Sequence, residues 1–183
     1  MKKMMIPKKI AGIDYSLTSP AICVWETHND TFNFYYLGKP SSAYKNLYAT
    51  LYPKWETKEQ RHEMLSDWAI NIVKGCEIYV EGYAYGASGN AILNIAENMG
   101  ILKHKMYKIE QSFTTVPPTV IKKFATGKGN ANKELMYDAF VAEEFTPINL
   151  KETLTPRAEK IKNPVSDIVD SYFIAKYGVS LWN

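Results

Sequence analysis

The chain has 183 residues, of which 46% are apolar and 22% charged, so it is expected to form one domain spanning 1–183 with a proper core. That balance excludes a disordered, fibrous or membrane-spanning protein. The net charge is only +3, and the basic start around Lys2 and Lys3 has no apolar run after it, so it is not read as a signal peptide.

In chain order, Lys8 to Ser16 reads as a strand in which Ile10 and Ile13 are apolar and Asp14 closes the run. Pro20 to Glu26 is a second strand and Thr31 to Leu37 a third, and tight turns make the three an antiparallel meander. Pro40 to Trp55 reads as irregular. Thr57 to Gln60 fits a capping box, after which Met64, Leu65, Trp68, Ala69, Ile72 and Val73 recur at helical spacing as far as Gly75. His62 falls on the polar face of that helix and is expected to be solvated. Cys76 to Glu81 is a fourth strand, reached through a helical crossover and so expected to run parallel to a neighbour. If the neighbour is the first strand, Asp14 and Glu81 emerge at one sheet edge, where open α/β sheets place their sites. Taken singly, each reads as an ordinary strand-end acid.

Gly82 to Gly89 is a loop rich in glycine and tyrosine, and it lacks the ending of a phosphate-binding P-loop. Tyr83 and Tyr85 in it are suited to stacking on bases. Asn90 to about Tyr107 is a helix, and Gly100 within it is expected to mark a close packing contact. Ser112 to Val116 is a fifth strand, stopped by Pro117 and Pro118. A short helix from Thr119 and a glycine-lysine loop lead into a helix from Asn132 to Phe145, whose N-terminus beside Lys128 and Lys133 is a ready anion site. Pro147 to Asn163 reads as a long polar connection. The order predicts an α/β fold, a five-stranded mixed sheet with helices packed on it.

The last helix, from Pro164, carries an apolar face of Ile168, Val169, Tyr172, Phe173 and Ala175. Asp167 and Asp170 share one face of it, a turn apart, at the edge of that stripe. Two acids there repel each other and lose hydration, and a divalent cation is the usual compensation. Seven lysines (103, 105, 108, 122, 123, 128 and 133) against the single acid Glu110 between Ile101 and Lys133 point to a polyanion held near such a site. A solubilising face is the plainer reading of those lysines alone. Arginine is limited to Arg61 and Arg157, so bidentate guanine readout is not expected to dominate. Cys23 and Cys76 have no metal-ligand spacing and are read as reduced core residues of a cytoplasmic protein.

Five segments together resemble the RuvC family of Holliday junction resolvases, within the ribonuclease H-like fold. They are Gly12-Ile13-Asp14, Val80-Glu81, Glu97-Asn98-Met99-Gly100, Val120 to Gly127 followed by Gly129-Asn130-Ala131-Asn132-Lys133, and Asp167-Ile168-Val169-Asp170-Ser171. The match runs in order from residue 8 to 178. It departs after Asp14, where Tyr15-Ser16-Leu17-Thr18 replaces the Pro-Gly of bacterial members, and in the aromatic loop after Glu81. These departures imply a divergent member, of bacteriophage type, acting in a bacterial cell or a phage-infected host.

The resemblance implies a structure-selective DNA endonuclease that resolves four-way junctions. Asp14, Glu81, Asp167 and Asp170 would hold two Mg²⁺ ions about 3.5–4 Å apart, with Mn²⁺ able to substitute. Hydrolysis would leave a 5′-phosphate and a 3′-hydroxyl. Lys133 would contact the scissile phosphate as part of the catalytic set, and Lys122, Lys123 and Lys128 would hold neighbouring phosphates. Tyr83, Tyr85 and Asn90 complete the expected DNA-binding set. Two symmetric scissile strands imply a homodimer, with the 90–107 helix as its face by resemblance.

Three rivals stand beside this reading. A junction-binding protein without catalysis would have no use for four clustered acids. A nucleotide-binding fold of the actin and sugar-kinase type also opens on Gly-Ile-Asp, but needs a second lobe that this chain lacks room for. A ribonuclease H acting on RNA–DNA hybrids would share the metal chemistry, and only the lysine-glycine segment favours junctions over it.

Overall fold

A computed structural model describes residues 6–41, 44–83, 90–143 and 149–182, with the backbone alone at 90 and 91. Its strands are β1 (Lys9–Asp14), β2 (Ala21–Glu26), β3 (Thr31–Leu37), β4 (Leu47–Thr50), β5 (Glu77–Glu81) and β6 (Phe113–Val116). Its helices are α1 (Lys58–Val73), α2 (Asn90–Lys108), α3 (Pro118–Thr126), α4 (Lys133–Val141), α5 (Leu150–Leu154) and α6 (Val165–Ser180). The strands form one mixed sheet in the order β4-β3-β2-β1-β5-β6. The first three are antiparallel, and β4, β5 and β6 each run parallel to the neighbour they join.

The sheet has six strands, not five. The sixth, β4, lies within the stretch read as irregular, pairing Leu47 with Phe34 and Thr50 with Leu37 at the sheet edge. It is four residues long with only Leu47 buried, so it has too little alternation to stand out in the sequence. The connection before α6 likewise contains α5, capped by Asn149, whose side chain accepts from the Glu152 amide at 3.1 Å, and anchored by buried Leu150.

Alternation along the central strands sorts side chains into two apolar layers. Ile10, Cys23, Phe34, Tyr36 and Tyr79 face α4 and α6, whereas Ala11, Ile13, Ile22, Val24, Ile78 and Val80 face α1 and α2. Each fully buried aliphatic side chain contributes about 1.5–3 kcal/mol. Helix α6 is buried on nearly every side, from Val165 to Gly178, which exceeds the single apolar stripe expected for it. Two glycines let it in. A Cβ on Gly12 would stand 2.2 Å from the Ala175 amide nitrogen, and one on Gly178 would stand 2.3 Å from the Tyr79 ring.

Helix ends follow the sequence signals. Thr57 caps α1 by accepting from the Gln60 amide at 3.2 Å, and the Gln60 side chain accepts from the Glu56 amide at 2.8 Å. Asn132 caps α4 by accepting from the Leu135 amide at 2.9 Å. Gly127 closes α3 in the left-handed region, with φ 77°.

Two expectations are corrected. His62 is buried between α1 and α2, not solvated, and loss of hydration pushes its pKa down. Gly100 marks no close contact, since a Cβ there would meet nothing within 4 Å and the residue is exposed. Cys23 and Cys76 are both free and buried. Among the described residues no helix is long and apolar enough to cross a membrane.

Candidate active site

The site begins with strand register. Parallel pairing of Ile13 with Val80 leaves Asp14 and Glu81 as the next residues of adjacent strands, at one edge of the sheet. Ile10, Gly12 and Asp14 alternate onto the α6 face, as do Tyr79 and Glu81. Because Gly12 seats α6 against β1 at Ser171 and Ala175, the preceding turn of α6 carries Asp167 and Asp170 to the same edge. The crossover and the glycine together gather four acids that are distant in sequence.

The four carboxylates act on one another. Asp14 is held well above the usual carboxylate range, first by burial and then by Glu81, Asp167 and Asp170. Burial and the Asp170 charge raise Glu81 to about 7. Burial and the Asp167 charge raise Asp170 to about 7. Burial raises Asp167 to about 6, against the opposing pull of a Ser19 hydrogen bond and the Lys133 charge. Unneutralised acids crowded out of water behave this way.

The lysines complete the field. Lys133 opens α4 and donates through Nζ to Asn163 Oδ1 at 2.9 Å and Ser166 Oγ at 3.1 Å. The Ser166 hydroxyl in turn donates to Asn163 Oδ1 at 2.8 Å. Lys122 acts on both Glu81 and Asp170 from α3. It lines a cavity of about 90 Å³ with Lys133, Ser166 and Asp170. Lys123 and Lys128 are exposed at the end of α3 and in the turn after it.

On the other side of Asp14 and Glu81 opens a cleft of about 460 Å³, walled by Tyr15, Leu17, Tyr83, Ile95 and Met99, with Asn94 as a polar member. Tyr83 is 40% exposed at its rim, and Lys103 Nζ lies 5.3 Å from its ring centroid. Tyr85 lies outside the described residues. Asn90 begins α2, and its side chain also lies outside them.

The sequence reading missed Ser19, Asn163 and Ser166. Ser166 directly precedes Asp167, so a polar residue beside a buried acid was a usable signal. Ser19 is buried in the turn between β1 and β2 and helps to lower the Asp167 pKa from there, and nothing local announces that.

As they stand, the carboxylates are not drawn to a point: among the described residues, no three acid, histidine or cysteine side chains close on a single ion position. The donor set nonetheless fits a hard divalent cation. It is all oxygen, and Asp167 Oδ2 is buried without a hydrogen-bond partner.

No protein-family profile and no curated protein sequence matches the chain. Solved structures do. Thermus thermophilus RuvC is 14% identical with a TM-score of 0.54, covering 93% of this chain and 97% of its own. The same organism's RuvC in complex with a Holliday junction substrate is 12% identical with a TM-score of 0.57, covering 95% of this chain and 96% of its own. The yeast mitochondrial Holliday junction resolvase Ydc2 is 12% identical with a TM-score of 0.59, covering 98% of this chain and 80% of its own. The chain thus shares the fold of RuvC and other Holliday junction resolvases over nearly its whole length. That fold is ribonuclease H-like.

Proposed function

We propose that the chain is a metal-dependent endonuclease that resolves four-way DNA junctions. The observation that carries the reading is the gathering of Asp14, Glu81, Asp167 and Asp170, all with raised pKa values, at one edge of a sheet shared with junction resolvases. A relative of that fold has been crystallised with a Holliday junction substrate.

Asp14, Glu81, Asp167 and Asp170 would hold two Mg²⁺ ions, or Mn²⁺ in their place. Bound metal supplies Lewis acidity to the scissile phosphate and lowers the pKa of the attacking water. The chain's own groups do the rest. Burial of the acids keeps the site at low dielectric, so their charges act strongly on what they bind. Lys133, fixed by Asn163 and Ser166, presents a cation beside Asp14, Asp167 and Asp170, where charge on a phosphate would develop. Lys122 faces Glu81 and Asp170, and exposed Lys123 and Lys128 extend the positive track along a phosphate backbone. Tyr83 offers a partly exposed ring at the rim of the cleft for an unpaired base, with Tyr85 and Asn90 assigned to the same strand-binding segment.

A four-way junction has two equivalent strands to cut, so the active form is a homodimer. The exposed outer side of α2, with Leu93 60% and Tyr107 77% accessible, supplies an apolar face for it. The chain forms one nuclease domain over 1–183 in this reading.

The acid-to-amide variants test the proposal. Asp14→Asn and Asp170→Asn abolish Mg²⁺-dependent cleavage of a labelled junction and leave junction binding in a gel-shift assay intact. Near-normal cleavage by either variant would overturn the four-carboxylate assignment.

A further inference from the structure

Asp14 and Glu81 end β1 and β5, and β3 and β4 run the same way, so all four strands finish at one edge of the sheet. The chain that leaves β4 at that edge, Leu51 to Trp55, keeps large apolar side chains in solvent: Leu51 is 67% exposed and Trp55 43%. Of the four tryptophans only Trp55 is exposed, Trp25, Trp68 and Trp182 being half-buried. Lys54 within the stretch is exposed, as is Lys39, next to the Gly38 amide that donates to the Thr50 carbonyl at 2.8 Å. The stretch is tied to the cleft beside the acids. The Tyr52 hydroxyl donates to the carbonyl of Leu17, which walls that cleft. Arg61, near the start of α1, donates through Nη2 to the same carbonyl at 2.7 Å and through Nε to the Tyr52 hydroxyl at 2.8 Å. Its guanidinium also lies over the Trp55 ring, 4.9 Å from the centroid.

We propose that the Leu51 to Trp55 stretch is a second DNA-contact surface, with Trp55 as the platform on which an unpaired base of the bound strand stacks. The inference rests on the DNA-cutting reading given above. Charge favours a polyanion: no acid stands between Asp30 and Glu56, a span that holds Lys39, Lys45 and Lys54. From Gly38 to Arg61 as a whole, four lysines and Arg61 face only Glu56 and Glu59, and Glu97 engages one of those lysines, Lys58, at 3.0 Å. The ring is also pre-organised. Arg61 is fixed by the Leu17 carbonyl and the Tyr52 hydroxyl, so it holds the indole over a cation and leaves aromatic surface open, an arrangement that favours a stacked base. Position gives the third argument. The sheet order puts β4 at one margin and β6, which leads into α3 with Lys122, at the other, so the two basic surfaces flank the acids from opposite sides. A strand lying across the acids would run from one to the other. Paired bases are stacked inside a duplex, so the platform takes an unpaired base, which a branch point supplies. A second copy of the chain fits this patch less well, because a two-fold contact would set its lysines against themselves.

The test is gel-shift binding of a four-way junction, a linear duplex and a single strand of matching sequence, in Mg²⁺ and on the Asp170→Asn background so that no strand is cut. Trp55→Ala should weaken binding of the junction and the single strand by about tenfold and leave duplex binding unchanged. Lys54→Ala should weaken all three, because a phosphate contact is indifferent to base pairing, and should make the dependence on log salt shallower by about one unit. Tryptophan fluorescence supplies a second readout, which decides the matter if Trp55→Ala does not fold. Junction binding should quench the emission, and Trp55→Phe should abolish that quench while keeping most of the affinity, since phenylalanine still offers a ring. Unchanged junction affinity in Trp55→Ala, an equal loss on duplex and junction, or a quench that survives in Trp55→Phe would overturn the inference and leave the nuclease reading standing. Loss of a dimer in light scattering with DNA affinity intact would overturn it too, and assign the patch to a second copy of the chain. Failure of the protein with Trp55 in place to bind any of the three DNAs would instead remove the DNA reading, and this inference with it.

Discussion

Gly12 lies directly beneath Ser171: a Cβ on the glycine would stand 2.3 Å from the Ser171 carbonyl oxygen. Strand β1 and helix α6 therefore touch backbone to backbone, two residues before Asp14 and one residue after Asp170. No other residue type fits, and this contact brings acids separated by some 150 positions of sequence to one edge.

Gly12→Ala is expected to be among the most damaging single substitutions outside the acids themselves. Its neighbours are helix backbone atoms that cannot swing aside, so α6 must shift. Overpacking of this kind costs about 1–3 kcal/mol. Urea unfolding should show that loss, and Mg²⁺-dependent cleavage should fall further than the fraction of folded protein, because the shift carries Asp167 and Asp170 away from Asp14.

Removing an acid from the site should stabilise the metal-free fold while destroying activity. Burial raises both Asp14 and Asp170, helped at Asp14 by the charges of Glu81, Asp167 and Asp170 and at Asp170 by that of Asp167, so each charge opposes folding. Asp170→Asn in EDTA should therefore melt at or above the temperature of the unaltered protein. A clear drop in melting temperature would show that the carboxylate is structurally required.

The same shifts fix a pH dependence. Folded values of about 7 for Glu81 and Asp170 and about 6 for Asp167 lie above the usual unfolded range near 4. The folded protein thus holds more protons than the unfolded chain between those limits. Stability from these groups is fully present below pH ~4 and is lost as pH rises through ~7. In EDTA the melting temperature should fall from pH 5 to pH 8, and saturating Mg²⁺ should flatten or reverse the trend by neutralising the acids. A metal-free protein that gained stability over that range would contradict the electrostatic picture.

The lysines divide into two kinds. Lys133, held by Asn163 and Ser166 beside the acids, should affect chemistry: Lys133→Ala should lower the cleavage rate of bound junction by about 10²-fold. Lys123 and Lys128 are exposed, and replacing both with alanine should weaken junction binding and make its dependence on log salt shallower by about one to two units. Rate measurements at saturating protein and binding measurements at several salt concentrations separate the two effects.

Much of this arrangement was legible locally. Alternation placed β1, β2, β3 and β5, and the strand-end positions of Asp14 and Glu81 followed from a crossover rule once the strands were taken as neighbours. What escaped depends on contacts far along the chain. Strand β4 exists only because the β3 edge is there to pair with it. His62 looks polar until α2 covers it, and Gly100 looks like a packing glycine until its surroundings prove open. Arg61 was noticed only as a rarity of composition, because its partner Leu17 lies 44 residues away. Ser19 is one hydroxyl in a polar loop until α6 brings Asp167 to it.

The most direct measurement is incubation of the purified protein with a labelled four-way DNA junction, a linear duplex and an RNA–DNA hybrid, each with Mg²⁺ and with EDTA. Paired, symmetric nicks in the junction alone, and only with Mg²⁺, are the predicted result. An intact junction in Mg²⁺, or cutting confined to the RNA–DNA hybrid, would contradict the proposed junction-resolving activity.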